Sequence, residues 1–156
     1  MEHLRPDRAR AISGAQTDPF HGIVVPGGQD YGISWPFGIH SAVGGFHDGP
    51  NPGDLLCAAL ASCLDSTLRI IADRLGVRLT SLEVDVKGEI DVHGTLAVDR
   101  EVPVGMQSMH CEVELSAAEG TDPQLVKRLL MAAERSYVNL QTLRHGVTVE
   151  TILHLD

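Results

Sequence analysis

Residues 51–65 read NPGDLLCAALASCLD, and this stretch predicts a long, largely buried helix. Asn51 suits the N-cap position, and Pro52 suits the first helical position, where an N–H would have no partner in the helix. Asp54 places a negative charge in the first turn, where the helix dipole favours it. The residues that follow are apolar around nearly the whole circumference, a pattern typical of a helix that is buried on several sides.

Two segments after this helix alternate between apolar and polar side chains. The helix is expected to end at Gly76, since glycine readily takes the left-handed conformation that closes a helix. Residues 80–91 then alternate strictly, and residues 109–115 repeat the pattern. Each segment predicts a strand with one buried and one solvated face.

The remaining segments complete an α+β pattern. A second helix is predicted to begin at Asp122, which a proline follows, and residues 138–144 predict a shorter helix. Residues 147–155 predict a last strand. Residues 22–49 predict short edge strands joined by turns, and residues 1–20 predict an N-terminal arm or frayed start. This order of elements indicates an α+β fold with antiparallel sheet.

Composition is that of a soluble globular protein. The chain has 156 residues, with 43% hydrophobic and 21% charged, which predicts one domain, residues 1–156, with a real core. A formal net charge of −9 argues against nucleic acid as a partner, since phosphate contacts need clusters of Lys and Arg. The N-terminus is polar, and the longest apolar run, Leu55 to Leu64, has about half the length of a membrane span. We therefore expect a cytoplasmic protein with no signal peptide and no membrane partner.

The three cysteines, Cys57, Cys63 and Cys111, predict reduced thiols rather than a disulfide framework. Cys57 and Cys63 are six residues apart on one helix and point roughly 120° apart, so they cannot pair with each other. Each cysteine has a simple interpretation as a small buried hydrophobe. A nucleophilic cysteine instead needs a cation near its thiolate. Cys63 lies about three turns into the helix, so another segment would have to supply that cation.

Other catalytic and ligand-binding patterns are missing from the sequence. None of the eight histidines falls at a metal-ligand spacing such as H-E-x-x-H, so no metal site is predicted. The sequence also lacks the G-x-S-x-G pattern of acyl-transfer enzymes and the glycine patterns that bind nucleotides. The thiols therefore remain the leading candidates for chemistry.

The stretch from Gly49 to Cys63 resembles the OsmC/Ohr family, the osmotically inducible and organic hydroperoxide resistance proteins. The matching features are the Gly-Pro lead-in, the Asn-Pro helix start and the run ending in Ala-Ser-Cys. A second match is residues 133–143, AERSYVNLQTL, and the resemblance covers roughly residues 40–155. It implies two central helices packed by antiparallel β-sheets, with two chains intertwined as a homodimer. A homodimer would also cover an all-round apolar helix, which a monomer of this size would find hard to bury.

The resemblance also implies an activity. Family peroxidases reduce organic hydroperoxides with a pair of cysteines, of which the first is oxidised to a sulfenic acid and the second condenses with it to a disulfide. By position, Cys63 matches the first, peroxidatic cysteine. The implied partners are a small-molecule hydroperoxide and an external thiol reductant, and no cofactor is implied.

Tyr137 stands where the resemblance places the second cysteine. The leading prediction is therefore a one-cysteine, thiol-dependent peroxidase that acts in oxidative stress defence, in which a small thiol or a partner resolves Cys63. Two alternatives stay open. Cys111, which faces inward on its strand, could resolve Cys63 instead. Otherwise the protein is a non-catalytic small-molecule binding protein on the same fold, with Cys63 as a packing residue.

Three further residues are assigned to the site. The resemblance places an arginine from the N-terminal part of the chain near the thiolate, and Arg10 is the candidate for this activator. The family's hydroperoxide resistance branch carries a glutamate directly after Asn-Pro, where this chain has Gly53 followed by Asp54. Asp54 and Tyr137 are assigned to the substrate pocket. The Tyr137 hydroxyl could bind a ligand, or the ring could serve in packing alone.

Overall fold

The structure is a computed structural model that describes residues 6–13, 17–27 and 31–154. This part of the chain contains five strands and four α-helices. In chain order they are β1 (Ala9–Ser13), β2 (Gly22–Pro26), β3 (Trp35–Phe37), α1 (Pro52–Leu75), β4 (Leu79–Ile90), α2 (Val92–Thr95), β5 (Met106–Ala117), α3 (Pro123–Ser136) and α4 (Val138–His145). A short 3-10 helix spans Ser41–Val43. The predicted α+β class is confirmed, and its antiparallel pairing is seen in both sheets.

The contacts of the chain divide it into two compact units. The first contains Met1–Leu56 and Gly88–Ser108, and the second contains Cys57–Lys87 and Met109–Asp156. The single domain over residues 1–156 stays a prediction.

The first unit contains a three-stranded antiparallel sheet in the order β1-β2-β3. Ala9 pairs with Pro26 and Ser13 with Gly22, and Gly22 in turn pairs with Phe37. A Cβ on Gly22 would come 2.5 Å from the Phe37 Cζ atom, so only glycine allows the ring to approach this strand so closely.

The N-terminal arm predicted for residues 1–20 is wrong over residues 9–13, which form β1. The strand had no clear signal because its run, Ala-Arg-Ala-Ile-Ser, is short and weakly patterned. Pairing with β2 stabilises it, and that pairing is a tertiary effect. Residues 1–5 and 14–16 of the predicted arm lie outside the described residues.

His21, directly before β2, lies between two carboxylates of the first unit. Its Nδ1 atom is 2.8 Å from Asp18 Oδ2, and its Nε2 atom is 3.1 Å from both carboxylate oxygens of Asp48. The imidazole also stacks on Phe46, with ring centroids 5.8 Å apart and an interplanar angle of 10°. These contacts tie the loop that precedes α1 to the start of β2.

This arrangement predicts a histidine that stays protonated to unusually high pH. The carboxylate of Asp18, and then that of Asp48, raises the pKa of His21 above its usual value. Any stability that this histidine contributes is therefore fully present below its unfolded-state pKa of about 6.5 and is lost as the pH rises through the higher folded-state pKa. The pKa of His21 is expected to fall toward its usual value in Asp48→Asn. An NMR titration of the imidazole measures this, and an unchanged midpoint would contradict the proposed ion pairs.

Both long helices begin as predicted. The Asn51 side-chain oxygen accepts hydrogen bonds from the N–H groups of Gly53 (2.8 Å) and Asp54 (3.2 Å). The Asp54 carboxylate accepts one from the Asn51 N–H at 2.8 Å, so the two residues cap each other reciprocally. Asp122 caps α3 through the Gln124 N–H at 2.9 Å. Gly76 closes α1 with a φ of +68°, the left-handed conformation expected there.

The core of the second unit is built on one face of α1. Residues four apart on this helix are buried against α3 and Tyr137, because a spacing of four keeps side chains on one face. The central helix is therefore buried along one stripe in this chain, whereas its composition predicted burial on several sides. The buried core consists of Leu60, Leu64, Leu68, Ala72, Val77, Leu129, Ala133 and Tyr137.

The strands β4 and β5 form a two-stranded sheet whose apolar side faces this core. The predicted alternation is confirmed over residues 82–87 of β4 and 109–115 of β5, whereas residues 88–90 of β4 are all exposed. Within the second unit, the side chains packed against the core include Leu82, Val84 and Val86 of β4 and Met109, Cys111 and Val113 of β5.

The last strand, predicted over residues 147–155, is wrong for residues 147–154, which form no strand. Their apolar side chains are largely exposed, and within the described chain no neighbouring strand pairs with them. An apolar pattern becomes a strand only when another strand accepts its backbone hydrogen bonds. Leu155 lies outside the described residues.

Among the described residues, α1 is the one helix that is long and apolar enough to cross a membrane by length and composition. A single helix of this kind is weak evidence for a membrane span, because core helices of soluble proteins pass the same test. In the single chain, 22% of the apolar window of α1 that passes this test is buried.

Candidate functional site

Cys63 lies at the border of the buried stripe of α1. Its side chain is half-buried and packs against the core cluster, next to Leu60 and Leu64 on the helix surface. The hydroxyls of Ser66 and Thr67 donate to the Cys63 carbonyl oxygen at 3.0 and 2.7 Å. Those hydroxyls therefore satisfy the backbone of the helix, and the surroundings of the thiol are mainly apolar.

Tyr137 is the residue that joins α3 to α4, and its side chain is buried to 1% exposure. Its hydroxyl donates to the carbonyl oxygen of Leu60 at 2.6 Å. Two residues later, the Asn139 side-chain amide donates to the carbonyl oxygen of Ala59 at 2.8 Å. The junction of α3 and α4 is therefore fixed to α1 about one turn before Cys63.

Cys111, on β5, is one of two cysteines whose charge would affect the same tyrosine. Burial raises the pKa of Tyr137. The negative charges that Cys111 and Cys63 would carry as thiolates raise this pKa further, and the Leu64 N–H lowers it. Burial raises the pKa of the Cys111 thiol. One phenolic hydroxyl is therefore an electrostatic neighbour of two thiols.

Arg144, in the last turn of α4, supplies positive charge to this region. Its charge lowers the pKa of Cys111, although by less than burial raises it. The guanidinium forms an exposed ion pair with Glu134, with Nη1 3.1 Å from Oε1. The sequence does not identify this cation, because the ion pair joins two helices across their junction and no motif spacing marks it.

The predicted site residues fall in different parts of the chain. Cys63 and Tyr137 belong to the second unit, where the structure brings them together. Arg10 lies exposed on β1, opposite Val25, in the first unit. Asp54 also belongs to the first unit, and its carboxylate is engaged in the cap of α1. The roles of Arg10 as activator and of Asp54 and Tyr137 as pocket residues stay predictions.

The Tyr137 hydroxyl is engaged within the protein. It donates to a backbone carbonyl, so the packing interpretation of this residue now rests on an observed hydrogen bond. A ligand could use only the acceptor capacity that remains on the phenolic oxygen.

The three cysteines all lie in the described residues, and no disulfide joins any two of them. Within residues 6–13, 17–27 and 31–154, no group of three or more His, Cys, Asp or Glu side chains is arranged to hold a metal ion. The described site thus consists of two thiols, a phenol and a nearby guanidinium at the edge of an apolar core. Such a set is suited to sulfur chemistry on an apolar substrate.

Comparison with known proteins identifies the family. The model of the family described as OsmC-like protein matches residues 45–152. An OsmC-like protein from Mycoplasma pneumoniae has 12% identity and a TM-score of 0.70, over 91% of this chain and 89% of that one. An organic hydroperoxide resistance protein from Elizabethkingia anophelis has 22% identity and a TM-score of 0.58, over 94% and 93% of the two chains.

A third solved structure, an OsmC-like protein of unknown function from Vibrio cholerae, has 14% identity and a TM-score of 0.70, over 89% of this chain and 94% of that one. A search of curated proteins gave no match. At these identities, the solved structures establish the fold that this chain shares with them.

Proposed function

The chain belongs to the family of OsmC-like proteins, and from this premise we propose that it is a thiol-dependent peroxidase that reduces organic hydroperoxides through Cys63. The observation that carries the proposal is the placement of Cys63, half-buried on the central helix and beside the Tyr137 phenol and the apolar core. The similarity to an organic hydroperoxide resistance protein supports the choice of substrate class.

The proposed reaction oxidises the sulfur of Cys63 and reduces the peroxide. The Cys63 thiolate attacks one oxygen of the hydroperoxide, the O–O bond breaks, and the other oxygen leaves as the alcohol after taking up a proton. The attacked oxygen stays on sulfur as a sulfenic acid. A reductant thiol then displaces that oxygen as water, and a second thiol restores Cys63 and releases the oxidised reductant.

The apolar surroundings of Cys63 favour an organic hydroperoxide over hydrogen peroxide. The side chains around the thiol in the second unit belong to a core of leucine and alanine. Placing an alkyl or aryl group against such a surface removes apolar area from water, at roughly 25 cal/mol per Å². Hydrogen peroxide has no apolar group that gains in this way.

We further propose a homodimer, located in the cytoplasm. Ile70 and Leu75 of α1 and Leu130 and Met131 of α3 remain exposed in the single chain, and a second copy would cover apolar residues of this kind. A cytoplasmic location suits the chemistry, because a reducing compartment keeps the thiols reduced and supplies the thiol reductant.

The second candidate is a non-catalytic binding protein for apolar small molecules. It is favoured by the packing of Cys63 against the core and by the hydrogen bond that occupies the Tyr137 hydroxyl. In this case Cys63 is a small buried hydrophobe, and the same apolar surface holds a ligand without chemical change.

Mass spectrometry with a sulfenic-acid trap separates the two candidates. The reduced protein is treated with one equivalent of an alkyl hydroperoxide in the presence of dimedone. Trypsin leaves Cys57 and Cys63 on one peptide, residues 11–69, so a Cys57→Ser variant makes the site of labelling unambiguous. Rapid labelling at Cys63 is expected for the peroxidase. Unlabelled Cys63 with the peroxide unconsumed would refute the peroxidase and favour the binding protein.

A further inference from the structure

We propose that Tyr137 and Asn139 are positioning residues for Cys63, because their side chains occupy the two helix carbonyls that would otherwise bind its thiol proton. The thiol is thereby left without an acceptor on its own helix, which favours the thiolate that reacts. This inference rests on the proposed function and deepens it, since it assigns to two further residues the task of keeping Cys63 reactive.

The two carbonyls lie where the side chain of a helical cysteine is directed. Side chains on an α-helix tilt toward its N-terminus and lie over the preceding turn. For Cys63, that turn carries the carbonyl groups of Ala59 and Leu60, four and three residues earlier on α1. Short polar side chains within a helix donate to carbonyls at these two positions, and a thiol is a weak donor of the same kind. Such a bond favours the protonated thiol over the thiolate.

Tyr137 occupies the carbonyl oxygen of Leu60. Within α1 this oxygen accepts the Leu64 N–H, as each carbonyl of an α-helix accepts the N–H four residues later. The Tyr137 hydroxyl is a second donor at 2.6 Å. A carbonyl oxygen has two lone pairs, so these two donors fill its capacity. Leu60 and Tyr137 are both buried, so water has little access to this oxygen and cannot take the place of the hydroxyl.

Asn139 occupies the carbonyl oxygen of Ala59. This oxygen accepts the Cys63 N–H within the helix, and the Asn139 amide donates to it at 2.8 Å. The Ser62 hydroxyl also donates to it, at 3.1 Å. Ala59 and Ser62 are exposed, so water competes for this oxygen. We therefore expect Asn139 to have a smaller effect on the thiol than Tyr137.

The other surroundings of Cys63 offer the thiol little in place of these carbonyls. Its side chain packs against the core cluster, whose members other than Tyr137 have apolar side chains that accept no hydrogen bond. A cation activates a cysteine by attracting the thiolate, whereas the donors on α1 act by removing acceptors that stabilise the thiol. Both effects increase the fraction of the form that attacks a peroxide.

Alkylation of Cys63 by iodoacetamide at neutral pH tests the inference, because the thiolate is the reacting form. All proteins carry Cys57→Ser, so that Cys63 is the one cysteine on the tryptic peptide of residues 11–69. Tyr137→Phe frees the buried Leu60 carbonyl and is expected to slow the alkylation by roughly two- to tenfold, the range that one net hydrogen bond spans. Asn139→Leu combined with Ser62→Ala, which leaves the buried core intact, is expected to slow it by a smaller factor.

The direction of the change separates this role from a purely structural one. A loosened second unit would expose the half-buried thiol and speed its alkylation, whereas the inferred role slows it. Gln141→Met is the matched control, because the Gln141 amide also donates to a backbone carbonyl, that of Glu134 on α3, at 2.9 Å. This variant loses the same kind of bond without affecting α1, so its alkylation rate should equal that of the Cys57→Ser parent.

The infrared S–H stretching band of Cys63 gives a direct signature of the freed carbonyl. The band is obtained as the difference between spectra recorded with and without Cys63→Ser. It is expected at lower frequency in Tyr137→Phe than in the parent, because the thiol then donates to the Leu60 carbonyl. A band at the same frequency in both proteins would overturn the inference.

The outcomes also distinguish this inference from the proposed function, since alkylation involves no peroxide. If Tyr137→Phe is alkylated as fast as the parent or faster, or if Gln141→Met is slowed equally, the inference is overturned. If the parent consumes an alkyl hydroperoxide and Tyr137→Phe matches it in both reactions, the peroxidase stands and Tyr137 is not a positioning residue. If alkylation slows as expected and the parent consumes no hydroperoxide, the positioning role stands and the peroxidase falls.

Discussion

Replacing Cys63 by serine is expected to abolish the consumption of organic hydroperoxide. A serine hydroxyl is far less acidic than a thiol and does not form a stable oxidised state, so the variant lacks the proposed nucleophile. The rate should fall by roughly three orders of magnitude or more, as is usual when the nucleophile of a covalent mechanism is removed. Consumption of an alkyl hydroperoxide in the presence of excess dithiol measures the effect.

Cys57→Ser is the matched control for this experiment. It makes the same chemical change on the same helix, at a half-buried residue outside the core cluster. We expect it to keep nearly full activity. Circular dichroism and thermal melting would verify that both variants fold. Equal activity of the wild type and a folded Cys63→Ser variant would contradict a peroxidatic role for Cys63.

Local signals in the sequence predicted the two long helices well, whereas the four-residue helix α2 was not predicted. The limits of α1 follow from the Asn51 cap and from Gly76, and both residues adopt the expected conformations. The start of α3 follows from the Asp122 cap in the same way. These signals depend on hydrogen bonds between residues two to four positions apart, so the sequence alone contains the information needed to read them.

The structure near the two ends of the described chain could not be predicted in this way. β1 exists because β2 pairs with it, although its own sequence is weakly patterned. Residues 147–154 have a suitable apolar pattern, yet they form no strand, because no described strand pairs with them. Strand formation depends on partners distant in the sequence, and periodicity does not identify those partners.

Only part of the candidate site could be predicted, because its other residues are also distant in the sequence. Cys63 was identified from its place in a helix and from a family resemblance. Tyr137 comes from elsewhere in the chain, and its hydroxyl donates to the carbonyl of Leu60, one turn before Cys63, across 77 residues. The cation near Cys111 is Arg144, whose ion pair with Glu134 depends on the bend between α3 and α4. No spacing rule predicts such contacts.

Tyr137 contributes both to the packing of the second unit and to the position of the helices around the candidate site. Its ring fills the core between α1 and α3, and its hydroxyl holds the α3–α4 junction against α1. Asn139 adds a second hydrogen bond to the neighbouring carbonyl of α1. A change at this one residue should therefore affect both folding and the environment of the thiols.

Tyr137→Ala is expected to lower the free energy of unfolding by about 3–5 kcal/mol, since truncation of a fully buried aromatic ring leaves a large cavity. That loss is a large share of the roughly 5–15 kcal/mol that stabilises a typical domain. Tyr137→Phe keeps the ring and removes the hydroxyl, so it should cost only about 0.5–1.5 kcal/mol. Urea unfolding at a fixed protein concentration, which keeps any association equilibrium constant, measures both changes.

The chain provides a matched control in Tyr31, its only other tyrosine, which is 61% exposed. Tyr31→Ala removes the same atoms from the surface and should change the free energy of unfolding by no more than about 0.5 kcal/mol. A similar loss in Tyr31→Ala and Tyr137→Ala would show that the buried ring does not hold the core together. A Tyr137→Phe variant as unstable as Tyr137→Ala would instead assign most of the effect to the hydroxyl and its bond to the Leu60 carbonyl.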